Sequence, residues 1–257
     1  MLVSIELLRC LDGDILIPLM ELGGLISCLI LRRESRFTVR VLVNGAEREA
    51  HLGNTGRLQN YLVKGRKGYC IPAETGRLGL RLIGVEEGLY AALIDTRLQE
   101  KGFELLLERG LIPWLNGCRL VKRNIRLGDS VIDYLIECLG VKTLVELKSA
   151  VMDLGGRIAG YPDAPTSRGA RQLLALAHAA SSGVKAAVVF IAGIPLATGF
   201  RFYCGVDKNI CKAVAEAYES DVVFKAVNIF LEPAWRNVVA GSLELPVDLS
   251  CCFEELF

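Results

Sequence analysis

From Leu25 to Ile83, apolar residues recur in short runs broken by glycines. Residues 25–31, 37–43, the stretch after Glu47, 68–72 and 78–83 are rich in branched and aromatic side chains and predict strands. Gly45, Gly53, Gly56, Gly65 and Gly76 punctuate them. Asn44-Gly45 marks a hairpin between 37–43 and 47–51, because both residues tolerate the positive φ of a tight turn. Short strands at this spacing predict a small barrel.

The period then changes. Over 95–109, Leu98, Phe103, Leu105 and Leu106 fall near helical spacing, and Gly110 ends the run. Strands are predicted at 119–127, 130–138 and 141–149, followed by a glycine-rich stretch through Gly155, Gly156 and Gly160. Ser167 reads as the N-cap of a helix to Ala180. A buried strand over 185–192, a helix over 206–218 and a strand over 222–231 complete the pattern. The expected linker lies near 84–88 and divides the chain into 1–86 and 87–257.

Composition adds limits. The 257 residues are 52% hydrophobic and 23% charged, enough for a sizeable core and too apolar for disorder. A net charge of +1 means that any nucleic-acid affinity must come from local patches. The nine cysteines show no CxxC pair, and only His51 and His178 accompany them, so no zinc spacing is present. Buried, reduced thiols are expected. The start Met1-Leu2-Val3-Ser4-Ile5-Glu6 has no basic, apolar leader pattern, and 186–197 is too short to span a bilayer. A soluble, cytoplasmic protein is expected.

The candidate chemistry centres on Leu139-Gly140. If these two residues form a turn, facing residues have numbers that sum to 279. Asp133 then lies across from Glu146, with Lys148 on the same face. Two adjacent carboxylates repel unless a cation joins them, and a divalent metal is the usual answer. A helix, a three-strand meander, a helix and a strand is the core order of the PD-(D/E)xK nuclease fold. In that chemistry Asp133 and Glu146 are the Mg²⁺ or Mn²⁺ ligands, and Lys148 is the catalytic base or electrostatic partner.

Two other segments are polar and basic. In Pro162-Asp163-Ala164-Pro165-Thr166-Ser167-Arg168-Gly169-Ala170-Arg171-Gln172, the residues Arg168, Arg171 and Gln172 share one helix face near its start, a setting suited to phosphate. Arg32-Arg33-Glu34-Ser35-Arg36-Phe37 and His51-Leu52-Gly53-Asn54-Thr55-Gly56-Arg57-Leu58 offer Arg33, Arg36, His51, Asn54, Thr55 and Arg57 as nucleic-acid contacts. Turn chemistry is the alternative for Asn54 and Gly56. Lys122, Arg123 and Arg126 read as a solvated strand edge, and His178 as a packed core residue.

The ordered motifs His51…Asn54-Thr55-Gly56-Arg57-Leu58, Asp133, Glu146-Leu147-Lys148 and Tyr161-Pro162-Asp163-Ala164…Arg168-Gly169 resemble the sugar fermentation stimulation protein A (SfsA) family, from about Arg33 to about Leu231. The resemblance implies an α+β architecture in which an OB-like barrel joins a PD-(D/E)xK nuclease-like domain with a mixed sheet, and it implies DNA binding. Three positions depart from the family pattern. Val131 replaces an Arg, Asn124 replaces a Glu and Gln172 replaces a His. A metal-dependent nuclease and a non-catalytic DNA-binding protein therefore both stand, with DNA versus RNA open. No residue here speaks to a sugar.

Overall fold

The structure, a computed structural model, describes residues 9–11, 14–73 and 78–254. In chain order the strands are β1 Arg9–Leu11, β2 Asp14–Glu21, β3 Ile26–Ser35, β4 Thr38–Val43, β5 Ala46–Leu52, β6 Lys67–Pro72, β7 Leu80–Glu87, β8 Tyr90–Leu93, β9 Cys118–Leu127, β10 Ser130–Cys138, β11 Val141–Ala150, β12 Met152–Asp153, β13 Ile158–Tyr161, β14 Lys185–Ala192, β15 Gly199–Phe202, β16 Val223–Glu232, β17 Asn237–Ala240 and β18 Val247–Asp248. The helices are α1 Thr96–Glu108, α2 Ser167–Ser181, α3 Lys208–Glu219 and the short α4 Cys251–Glu254.

Strands β3, β4, β5, β7 and β6 close on themselves through a parallel β5–β7 pairing, which makes the expected small barrel. Ile30, Val39, Val41, Ala50, Leu52 and Leu82 fill it. Asn44 and Gly45 both have positive φ, as the predicted hairpin turn requires.

The second unit is a mixed sheet. β11, β14 and β16 run parallel, and β10 and β9 extend it antiparallel to an edge. Leu98, Phe103, Leu106 and Leu107 of α1 cover one face against Tyr134, Ile136, Val145 and Val227. Leu173, Leu176, Ile210 and Val214 of α2 and α3 cover the other, against Val188 and Phe190. This three-layer packing buries both faces, so the parallel strands are apolar on both sides. Capping sets the helix starts. Asp95 accepts from Leu98 N, Thr166 from Gly169 N and Asp207 from Asn209 N. The cap of α2 is thus Thr166, one residue before the Ser167 expected. A smaller sheet, β12-β13-β15-β18, replaces the irregular glycine-rich stretch.

Three expectations change. The boundary at residue 86 falls inside β7, because Gly84 is a mid-strand residue and Gly88, with φ 65°, turns β7 into β8. β8 then pairs with β16, and β2 pairs with β17, so the sheet runs across the expected division. Cys118–Cys138 and Cys204–Cys251 are disulfides, with Cα atoms 4.0 and 6.0 Å apart, where reduced thiols were expected. The β9–β10 register sets Cys118 directly across from Cys138, a juxtaposition that sequence spacing conceals. Cys28 and Cys70 fit the expectation of buried thiols. His178 is exposed near the end of α2 and is not a core residue. No helix among the described residues is long and apolar enough to cross a membrane.

A Cβ on Gly84 would lie 2.8 Å from a Leu231 methyl and 3.0 Å from the Ala92 carbonyl, at the seam between barrel and sheet. Gly84→Ala is expected to destabilise the protein by about 1–3 kcal/mol. Chemical denaturation should show a lower midpoint with an unchanged slope.

Candidate metal centre and adjoining groove

The turn at Leu139-Gly140 is formed, with φ 50° and 85°, and the pairing from Cys138↔Val141 to Tyr134↔Val145 keeps the predicted register. The backbone ladder stops there, and Asp133 is also skipped in the pairing with β9. Side chains take over. Asp133 N donates to Glu146 Oε2 at 3.3 Å, and Leu147 N donates to Asp133 Oδ2 at 2.7 Å. Each carboxylate is thereby fixed by the other strand's peptide unit.

Lys148 Nζ donates to Glu146 Oε1 at 2.7 Å and to Gln172 Oε1 at 2.8 Å. Gln172 Nε2 in turn donates to the Val131 carbonyl at 2.8 Å. Glu146 is 3% exposed and Lys148 7%. Burial pushes the Glu146 carboxyl up to about 7, with Lys148 opposing the rise and Asp133 adding to it. Burial also raises Asp133, against the Leu147 N–H and the Lys148 charge. For Lys148, burial acts downward, but Glu146, Tyr161 and Asp133 outweigh it and the ammonium form is favoured.

These groups line a cavity of about 240 Å³ with Glu100, Gln99, Thr96, Thr55 and Arg168. Glu100 was not foreseen. It lies on α1 as an exposed residue whose carboxyl turns into the cavity, where desolvation, followed by repulsion from Asp133, raises it to about 7. An acid on the polar face of the helix preceding the meander was the available signal. Asn124, where an acid was expected from family resemblance, is exposed and has φ 55°, a conformation that Asn tolerates better than most residues.

A second hollow, of about 590 Å³, shares Thr55, Thr96, Ser149, Thr166 and Arg168 with the first. It runs between the barrel loop at Gly53–Gly56 and the segment from Tyr161 to Arg168, and Arg36 lines it. The loop is tied down from both sides. Asn54 Nδ2 donates to Ser149 Oγ at 3.3 Å, Thr96 Oγ1 to the Gly53 carbonyl at 3.0 Å, and Leu58 N to Asp163 Oδ2 at 3.1 Å. Gly56 leaves room for the Asp163 carboxylate, which an added Cβ would strike.

The predicted nucleic-acid residues therefore separate. Thr55, Arg36 and Arg168 line the hollows. Gln172 is buried and holds Lys148, and Asn54, 7% exposed, is a joint residue that also borders the groove. Arg33 is turned to the carbonyls of Gly56, Arg57, Ser35 and Arg36 and organises the loop. Arg171 lies by Asp129 and Val131 on a separate hollow shared with Arg168, and Arg57 faces another beside Tyr61. His51 stacks on Phe37 with ring centres 6.5 Å apart.

This joined arrangement has relatives. Residues 31–94 match the family model for the SfsA N-terminal OB domain, and residues 97–235 match the model for the sugar fermentation stimulation protein RE domain. The chain belongs to the SfsA family. The SfsA models meet at Asp95 and Thr96, where α1 is capped. A sugar fermentation stimulation protein homolog of Pyrococcus furiosus is 39% identical over 89% of this chain and 99% of its own length. One from Archaeoglobus fulgidus is 37% identical over 82% of this chain and 91% of its own. The solved structure of Pyrococcus furiosus SfsA in complex with Ca²⁺ superposes with a TM-score of 0.86, covering 90% of this chain and 99% of that one.

Without metal, Glu146 and Glu100 hold protons in the folded state at a pH where the unfolded chain, near 4.5, has lost them. Their stabilising contribution is complete below about 4.5 and is lost as pH rises through about 7. The Tm of EDTA-treated protein should fall between pH 5 and 8, and Glu146→Gln should flatten the fall. A wild-type profile no steeper than that of the variant would contradict this.

Proposed function

We propose that this SfsA-family protein binds DNA and hydrolyses its phosphodiester bonds with Mg²⁺ or Mn²⁺ held by Asp133 and Glu146. The observation that carries the reading is the pair of interlocked carboxylates beside a buried ammonium, opening on a groove walled by Arg36 and Arg168. The donors are oxygens, which suits a small hard cation. Asp133 Oδ1 makes no hydrogen bond among the described residues and remains available to it. The Ca²⁺ complex of the Pyrococcus relative involves a cation of the same hard class.

When bound, such a cation polarises the scissile phosphate and acidifies a coordinated water. Lys148, held by Glu146 and Gln172, orients that water and neutralises charge that builds on the phosphate. Because its ammonium form is favoured, it acts as an electrostatic partner and not as a resting base. Glu100, with a carboxyl near 7, is placed to accept a proton at neutral pH. Arg168 supplies a phosphate contact at the junction of the two hollows. On the barrel, Phe37 is 49% exposed, stacked on His51, with the Arg36 guanidinium 5.5 Å from its ring centre. That is a platform for an unpaired base.

A second reading is DNA binding without cleavage. The 2.7 Å Lys148–Glu146 ion pair favours it, because it already neutralises one carboxylate and competes with a metal. Fold alone does not decide between the two.

Purified protein with Mg²⁺ or Mn²⁺ is expected to cut single- or double-stranded DNA, and Lys148→Ala to slow cutting by about 100-fold or more with DNA affinity retained. Failure to cut DNA or RNA with either metal, together with no Mn²⁺ heat in calorimetry that Asp133→Asn removes, would leave the binding reading. Separately, Phe37→Ala should weaken single-strand affinity by about 1–3 kcal/mol in fluorescence anisotropy while duplex affinity stays unchanged.

A further inference from the structure

Away from the carboxylates, three sulfurs converge. Cys204 follows β15, and Cys251 and Cys252 begin α4. Their sulfur atoms all lie within 4.8 Å of one another. Cys204 and Cys251 are joined as a disulfide, and Cys252 Sγ sits 3.6 Å from Cys204 Sγ. Cys204 and Cys252 are buried and belong to the same apolar cluster as Phe202, Ile210 and Leu249.

A disulfide staple needs two sulfurs, so the third calls for an explanation. One is exchange, in which Cys252 attacks Cys204. That requires a thiolate, and burial opposes losing the proton unless a cation replaces it. A metal supplies that cation. In a tetrahedral zinc–thiolate site the metal–sulfur distance of about 2.3 Å sets neighbouring sulfurs about 3.8 Å apart. The Cys204–Cys252 separation of 3.6 Å is close to this edge, and all three sulfurs lie within 4.8 Å of one another, so parting the bonded Cys204 and Cys251 sulfurs is the one change that a shared ion requires.

We propose that Cys204, Cys251 and Cys252 form a thiolate site for a soft divalent cation of the Zn²⁺ class, and that this state alternates with the Cys204–Cys251 disulfide. Conversion needs a dithiol reductant. Two electrons and two protons pass from it to Cys204 and Cys251, the S–S bond breaks, and the dithiol closes into its own disulfide. Each S–H bond then breaks as its S–metal bond forms, and the protons leave to solvent. One coordination position remains for water. The site would clamp α4 to the end of β15, whose neighbour β13 leads into the Tyr161–Arg168 wall of the groove. It is independent of the hydrolytic reading, since none of its residues lines either hollow.

The test is metal titration of the whole chain after anaerobic reduction. Co²⁺ serves as the optical probe, because a sulfur-to-cobalt charge-transfer band reports thiolate ligands and is blind to cobalt at Asp133 and Glu146. One equivalent of Co²⁺ should produce the band, Zn²⁺ should displace it, and Zn²⁺ should raise the Tm of reduced wild type. Cys252→Ser should abolish the band, and Cys28→Ser should keep it. Absence of the band in reduced wild type, or an undiminished band in Cys252→Ser, would overturn the proposal. The first outcome is read on unaltered protein and so does not depend on the folding of a variant.

Discussion

Asp133 and Glu146 each hold a peptide N–H on the opposite side of the pairing that joins them. The backbone ladder ends at Tyr134↔Val145, and these two side chains continue it. This places two carboxylates side by side under heavy desolvation, which neither charge nor solvation would choose. Lys148 is drawn in to compensate, and Gln172 fixes Lys148 by reaching across to the Val131 carbonyl. From one irregularity in strand pairing follow the raised carboxyl of Glu146, the trapped ammonium and the seat of α2. A buried ion pair of this kind is seldom a source of stability, because desolvation offsets attraction.

The barrel meets this centre through the loop from Gly53 to Leu58, with Arg36 of the β3–β4 turn beside it. Gly53 to Leu58 is bound by Thr96, Ser149 and Asp163, which come from three different parts of the second unit. Arg33 shapes the loop from behind by engaging four carbonyls. The barrel core and the α2/α3 face belong to one continuous apolar cluster, so the joint is apolar as well as polar. Groove and cavity share their lining because both units contribute to it.

Much of this was legible in the sequence. The 3.6 and 2.0 periods separated barrel from mixed sheet, and Leu139-Gly140 fixed the register because a two-residue turn admits only one. Glu100 was missed because its one signal, an acid on the polar face of α1, does not distinguish it from any other solvated helix acid. For Asn54 both ligand contact and turn chemistry were open, and the structure shows it bonding within its loop and to Ser149 while bordering the groove; for Arg33, composition cannot say that the guanidinium turns to loop carbonyls. The disulfides were missed for a related reason: no register had been assigned between β9 and β10, and Cys204 meets α4 only through tertiary packing. Gly84 resembles a linker glycine in the sequence, whereas in the structure it lies within β7 and its missing side chain admits Leu231.

The pairing of β2 with β17 has a temporal consequence. β2 leaves the ribosome long before β17 does. Until then β2, with the apolar Leu16 and Leu19, lacks the neighbour that covers it, while the barrel that follows it can already close. Completion of this edge of the sheet therefore waits until β17 has been made. The barrel strands β3 to β7 lie between the two in sequence and pair among themselves, so closure of the barrel does not depend on this long-range pairing.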